Sequence, residues 1–276
     1  MTSIRSRALP IAIGIFGVLF VGALAAFAIA GGQSLTDPAE ILTRGAEATS
    51  EADSFHMALT GTGTITDPDT GANMPLDGVR VEGDVDIAGE AAHVTFAVPF
   101  LLGLSGEAIV LGEDVYLLSS LTGDKWVHTP ATRESSPSPE PTDPAEIADK
   151  VAEFLATEGV SAEKLHDKEC GEDTCYHVRL TISEEAKAAH PDAMPDMGEY
   201  GSFLPDAAFS GPMVVDLLFD RDSLRLRQVS TSAADPESGD ASLTLTLSEY
   251  NEPFDIAAPP PDEVTKEGEF PLFPSD

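Results

Sequence analysis

From residue 55 to residue 130 apolar side chains recur at alternate positions in short runs separated by turn residues. HMALTGTGTI, VRVEGDVDIA, AAHVTFAVPF, EAIVLGEDVYLLSS and KWVHT are rich in Val, Ile, Thr and aromatic residues and are broken by Gly, Asp and Pro. Period two is the side-chain repeat of a pleated strand, so these runs read as an antiparallel meander. Three further runs close the chain: PMVVDLLFD, SLRLRQVSTS and ASLTLTLSEY. Leu243, Leu245 and Leu247 alternate with Thr and Ser, while Val215, Leu217 and Phe219 share one strand face. Strands of this kind are apolar on one side and wet on the other, and the apolar side needs a cover.

Two amphipathic helices can supply it. In SLTDPAEILTRGAEATSEA, Asp37 stands as N-cap, Pro38 at the first helical position and Glu40 at the third. The hexapeptide TDPAEI recurs at 142–147 and leads into ADKVAEFLATEG, where Ile147, Val151, Phe154 and Leu155 fall on one helical face. The copies diverge after Ile41 and Ile147, so they read as two uses of one good cap. Between the meander and the second helix, PATRESSPSPEPTDP is loop by composition. Strands near 164–170 and 175–182, a helical SEEAKAAH and an irregular PDAMPDMGEYGSFLPDAAFSG complete the order. The expected class is α+β, an antiparallel sheet with its helices segregated to one face.

Residues 9–31 carry no charged side chain. As a helix they would extend about 34 Å, enough to span a bilayer. Arg5 and Arg7 precede the run and Asp37 and Glu40 follow it, which places the N-terminus in the cytoplasm and the rest outside. The run exceeds the length of a signal-peptide core, which favours a retained anchor. Ala26-Phe27-Ala28 and Ala28-Ile29-Ala30 leave cleavage and secretion as the alternative. The expected division is a signal-anchor over 1–32, one extracytoplasmic domain over 33–264 and a flexible tail over 265–276.

Net charge is −33, from 48 acidic and 15 basic residues. That repels nucleic acid phosphates and anionic headgroups, so nucleic acid is not an expected partner. The two cysteines, Cys170 and Cys175, lie outside the membrane with Gly-Glu-Asp-Thr between them, and read as a disulfide stapling a hairpin end. Neither lies near the membrane junction, so lipidation of a cysteine there is excluded.

No enzyme motif is present: G-x-S-x-G, H-E-x-x-H, the P-loop and G-x-G-x-x-G are all missing. The six histidines are scattered without metal-ligand spacing, and His166 and His177 read as an exposed pair facing each other across the cysteine hairpin. No catalytic residue, metal or cofactor is expected. Asp67, Asp69, Asn73 and Asp77 offer oxygen ligands to calcium in a Gly-containing loop, but without the EF-hand glycine and glutamate they read as an ordinary turn.

In TFAVPFLLGLSG, Phe96, Val98, Phe100, Leu101, Leu102 and Leu104 are too many apolar groups to alternate cleanly, and Pro99 and Gly103 interrupt a regular strand. They are either core beneath the helices or the wall and rim of a site for a lipid tail, in which each buried methylene contributes about 0.8 kcal/mol.

The helix opening DPAEIL, the pattern GTGTI…DGVRVEGDVDI, the block VYLLSSLTGDKWVH and the exit LTLSEYNEPFDIAAPPPDEV together resemble the LppX/LprAFG lipoproteins of the LolA-like superfamily. The resemblance spans roughly residues 37–264 and rests on strand and turn patterns without a catalytic signature. It implies a curved antiparallel half-barrel whose concave face is covered by helices over an apolar cavity for acyl chains. The chain departs from that family in lacking the lipidated cysteine at the membrane junction.

These observations lead to an extracytoplasmic, membrane-anchored domain that binds a lipid or acylated partner. Phe96, Val98, Phe100, Leu101 and Leu104 are the expected cavity wall, with Val215, Leu217 and Phe219 on a facing strand. The alternative is a sensory or structural module with a filled core, similar in role to an RseB-like regulator, that binds another envelope protein.

Overall fold

The computed structural model describes residues 35–66, 73–120, 123–130, 151–189, 212–233 and 241–266. The first helix, α1 (Pro38–Ser50), starts as its cap dictates: Ala39 N donates to Asp37 Oδ1 at 2.9 Å, with Pro38 in the first turn. There follow β1 (Ser54–Thr62), β2 (Thr64–Thr66), β3 (Asn73–Pro75), β4 (Arg80–Asp86), β5 (Ala91–Val98), β6 (Leu104–Leu111), β7 (Asp114–Ser119) and β8 (Trp126–Pro130). Next come helical residues 151–156 (α2), β9 (Val160–Lys164), β10 (Lys168–Cys170), β11 (Asp173–Ile182) and α3 (Glu184–Ala189). The chain closes with β12 (Met213–Asp220), β13 (Leu226–Ala233), β14 (Ser242–Ser248) and β15 (Val264–Lys266).

Thirteen strands form one sheet in the order β10-β11-β12-β13-β14-β1-β4-β5-β6-β7-β8-β15, with β9 also paired to β11. Every pairing in it is antiparallel except β15 on β8. The closing strands reach the meander through β14 against β1, so first and last strands of the expected runs lie side by side. After β14 the Pro-rich segment carries the chain past β1 and β4–β7 to the far edge, where β15 pairs in parallel with β8.

Alternation sets the two faces. Leu59, Val81, Phe96, Leu245 and Leu217 turn inward with the main core, whereas the opposite face carries cross-strand polar pairs. There His56 Nδ1 meets Asp84 at 2.7 Å, His93 meets Glu107 at 3.3 Å, His128 meets Asp114 at 2.7 Å and Ser230 meets Thr244 at 3.2 Å. A bulge between Leu218 and Phe219 shifts the β12–β13 register near one end.

The inner face is the one the helices cover. α1 packs chiefly against β9, β11 and β13, burying Ile41, Leu42, Gly45 and Thr49. Thr49 ties it to the sheet: its Oγ1 donates to Gly45 O at 2.6 Å and accepts from Leu226 N at 2.8 Å. Val151, Phe154 and Leu155 of α2 and Ala186 of α3 pack on the same core, the helical face expected for the second cap. Residues 142–147, with that cap, lie outside the described residues.

Three local expectations need correction. The run HMALTGTGTI is not one strand. Gly63 takes φ +82°, so β1 stops at Thr62 and β2 pairs with β3 in a separate two-stranded sheet. The strand expected near 164–170 is two pieces, β9 ending at Lys164 and β10 starting at Lys168, because Lys164 Nζ and Asp167 Oδ1 close a turn at 2.7 Å. His177 is not an exposed partner of His166. It is 3% exposed and its Nε2 lies 2.8 Å from Asp216 Oδ1 on the neighbouring strand.

Cys170 and Cys175 form the expected disulfide, with Cα atoms 5.9 Å apart across the β10–β11 hairpin. Of the loop considered for calcium, 67–72 lies outside the described residues, Asn73 starts β3, and Asp77 Oδ1 accepts from Gly63 N at 3.4 Å. Among the described residues no helix is long and apolar enough to cross a membrane, and the run 9–31 lies outside them.

Candidate functional site

The pairing registers align apolar residues from seven adjacent strands in a single row. Val178 sits opposite Leu217, Leu217 opposite Val229, Val229 opposite Leu245, Leu245 opposite Leu59, Leu59 opposite Val81, and Val81 opposite Phe96. All seven belong to or pack against the main core cluster. Six strand-to-strand steps of roughly 4.8 Å make the row about 29 Å wide. A second row runs beside it, through Val94, Gly83, Met57 and Leu247.

The expected wall residues divide among three surroundings. Phe96, Val215 and Phe219 are buried in the main core, with Leu104 and Leu217 half-buried against it. Val98 and Phe100 pack instead on a satellite cluster of Ile65, Leu76 and Val79, beneath the small β2–β3 sheet. Leu101 is half-buried in the β5–β6 turn and belongs to neither cluster. Sequence reasoning missed Val94 and Val178, both with no exposed surface, and Met57, and it placed Leu245 and Leu247 on an apolar strand face without assigning them to the wall. Their period-two spacing carried that signal.

Polar groups occupy the ends of the wall rather than its middle. Tyr176 OH accepts from Leu35 N at 3.2 Å where the described chain begins, and its ring lies between Lys164 Nζ at 5.5 Å and Arg221 at 5.4 Å. Tyr250 OH donates to Leu226 O, and its ring stands 6.3 Å from that of Phe55. Burial holds the Tyr250 phenol above its ordinary range, against the opposing pull of Arg227 and Arg225.

The strongest charged arrangement lies on the other face. Arg179 grips Asp216 with two bonds of 2.9 Å, and His177 completes the group. Burial opposes ionisation of Asp216, yet the bonds from Arg179 and His177 hold its carboxyl below the usual range. These groups tie neighbouring strands together. Among the described residues no group of three or more His, Cys, Asp or Glu side chains is placed to hold a metal ion. Chemically, the inner face can bury apolar matter.

No protein-family model matches the chain, and no curated protein matches it in sequence. Solved structures do. LprF from Mycobacterium bovis is similar with a TM-score of 0.50 at 16% identity, covering 82% of this chain and 99% of that one. Lipoprotein LppX from Mycobacterium tuberculosis gives 0.48 at 16% identity, over 79% and 97%. A LolA superfamily protein from Nitrosomonas europaea gives 0.24 at 14% identity, over 85% and 99%. The likeness to LprF establishes the LppX/LprAFG-like fold that the strand pattern resembles.

Proposed function

We propose that this chain is an extracytoplasmic domain, held at the cell membrane by residues 9–31, that takes up a lipid or acylated molecule between its apolar inner face and the helices on it. The observation that carries this reading is the seven-strand row from Val178 to Phe96. At about 29 Å it is longer than α1, whose 13 residues extend about 20 Å. A wall lined by hydrocarbon and without charges suits a ligand whose bound part is itself hydrocarbon.

Two glycines support the finer picture of a curved half-barrel. A Cβ on Gly83 would lie 2.2 Å from His93 O, and one on Gly106 would lie 2.1 Å from Leu118 O and 2.9 Å from the Phe96 ring. Neighbouring strands close in at both positions, as they do where a sheet bends toward its inner side. Phe96, Val98, Phe100, Leu101, Leu104, Val215, Leu217 and Phe219 remain the proposed wall, with Leu104 and Leu217 the most accessible to a ligand in the main core.

The test is titration of residues 33–276 with a fluorescent fatty-acyl probe. Leu217→Phe fills the wall without adding charge and should weaken binding about tenfold or more, the worth of one large buried side chain. Leu104→Asp should do the same, with circular dichroism confirming the fold. Undiminished binding in both variants removes the inner face as the site. The near-complete burial of Val94 and Phe96 favours a second reading, a filled core presenting its outer surface to an envelope protein. That reading is supported if the parent itself binds no probe.

A further inference from the structure

On its other side, the row from Val178 to Phe96 is bordered by a third row of the inner face. Leu180 sits opposite Val215, Val215 opposite Thr231, Thr231 opposite Leu243, and Leu243 opposite Gly61. Gly61 N donates to Val79 O at 3.1 Å, and farther along Val98 sits opposite Leu104. Leu59 and Gly61 are two residues apart on β1, so the two rows lie roughly 7 Å apart. The third row has a gap at its centre, because Gly61 has no side chain.

That gap is filled from above the sheet. A Cβ on Gly61 would lie 2.9 Å from Leu76 O, 3.1 Å from Leu76 Cβ and 3.1 Å from Val79 Cβ. Leu76 is buried, and it shares a cluster with Ile65, Val98, Phe100 and Leu243 rather than with the main core. It stands on the inner face, where a hydrocarbon chain running along the strands would cross from the first row to the third. Val98 and Phe100, two of the proposed wall residues, are therefore covered at this end by the protein's own side chains.

Leu76 belongs to a unit built to pivot. It directly follows β3, which pairs with β2 in a sheet of its own, and Leu76 N extends that ladder to Gly63 O at 2.8 Å. Two glycines at positive φ stand where the unit joins the main sheet. Gly63 takes +82° just past β1, and Gly78 takes +86° in the turn that Val79 N closes on Leu76 O at 2.9 Å. The seat of Leu76 is apolar, so hydrocarbon arriving there returns contacts of the same kind. We propose that Leu76 sets the length of acyl chain that the inner face accepts. Short chains end on the row from Val178 to Phe96, and a chain long enough to reach the third row must displace Leu76 to lie on Val98, Phe100 and Leu104. This rests on the inner face being the acyl site and adds to it the residue that measures the chain.

The full chain in phosphatidylcholine nanodiscs is titrated with fluorescent acyl probes of increasing chain length. Each variant's affinity is expressed as a ratio to the parent's at the same length, so that partitioning of the probe into the nanodisc lipid cancels. The ratio for Leu76→Ala should be constant for short probes and rise by up to about fourfold per methylene once the chain reaches position 76. The ratio for Leu76→Phe should fall, beginning at a shorter length. Ratios that do not change with length in either variant overturn the inference and leave the inner-face site standing. Absence of binding at every length, in the parent and in Leu76→Ala, removes the inner-face site and the inference with it. Hydrogen exchange of the parent needs no variant: the Val79 amide should lose protection when a long probe is bound and keep it with a short one. A Val79 amide equally protected with both would make Leu76 a packing residue and contradict its displacement.

Discussion

Gly45 on α1 and Phe219 on β12 approach so closely that a Cβ at Gly45 would lie 2.4 Å from the Phe219 Cδ1. Phe219 is 3% exposed and packs within the main core cluster. Helix propensity alone would make Gly45→Ala favourable by about 0.8–1.0 kcal/mol. Overpacking a closed contact costs about 1–3 kcal/mol and should win. The expected result is a net loss of up to about 2 kcal/mol in urea denaturation and a melting temperature lower by up to a few degrees; a stabilised variant would show that α1 can lift from the sheet.

Asp216 should give the protein an acid limb. Its folded pKa is held below the unfolded value of about 3.9, so the stabilisation it contributes is complete above that pH and is lost as pH falls through the folded value. Asp216→Asn should flatten the stability profile below about pH 4. At neutral pH, Asp216→Ala leaves buried His177 without its partner and should cost about 1–3 kcal/mol. Urea midpoints from pH 7 to pH 2.5 for parent and variants check both statements; parallel profiles would assign the acid limb to other carboxylates.

The Cys170–Cys175 bridge closes a short loop, with sequence separation 5. In the chain-entropy picture such a closure contributes about 2 kcal/mol. Cys170→Ser with Cys175→Ser should lower stability by about that amount while the far-ultraviolet spectrum is retained, since the hairpin is also held by β11 against β12 and β9. Loss of the fold would mean that the hairpin nucleates the sheet edge.

Much of this architecture was legible in the alternation of residues such as Leu243, Leu245 and Leu247, because a strand with one buried face repeats its chemistry every second residue. Asp37, Pro38 and Glu40 announced α1 equally plainly. The partners of each strand were not legible. Pairing of β14 with β1, and of β15 with β8, joins residues far apart in the chain, and period two carries no record of them. His177 was misjudged for the same reason, since its partner Asp216 comes from a strand 39 residues away. In the stretch 95–106, hydrophobicity marked the site but could not divide it. Phe96 enters the main core, Phe100 goes under the β2–β3 sheet and Leu102 faces solvent, as the turn at Pro99 and Gly103 dictates.

The inner wall should respond to volume more than to charge on the opposite face. Leu217→Phe should weaken acyl-probe binding, whereas Asp84→Asn, which removes a carboxylate paired with His56 on the polar face, should leave it within about twofold. Equal losses in both variants would place binding outside the Val178–Phe96 row.

The most direct test of the account is native mass spectrometry of residues 33–276 expressed for export, followed by denaturation and identification of any released lipid. The account predicts an adduct of one lipid or acylated molecule per chain, diminished in Leu217→Phe. A clean unliganded mass, unchanged after incubation with lipid vesicles, would contradict it and leave the filled, protein-binding module as the function of this fold.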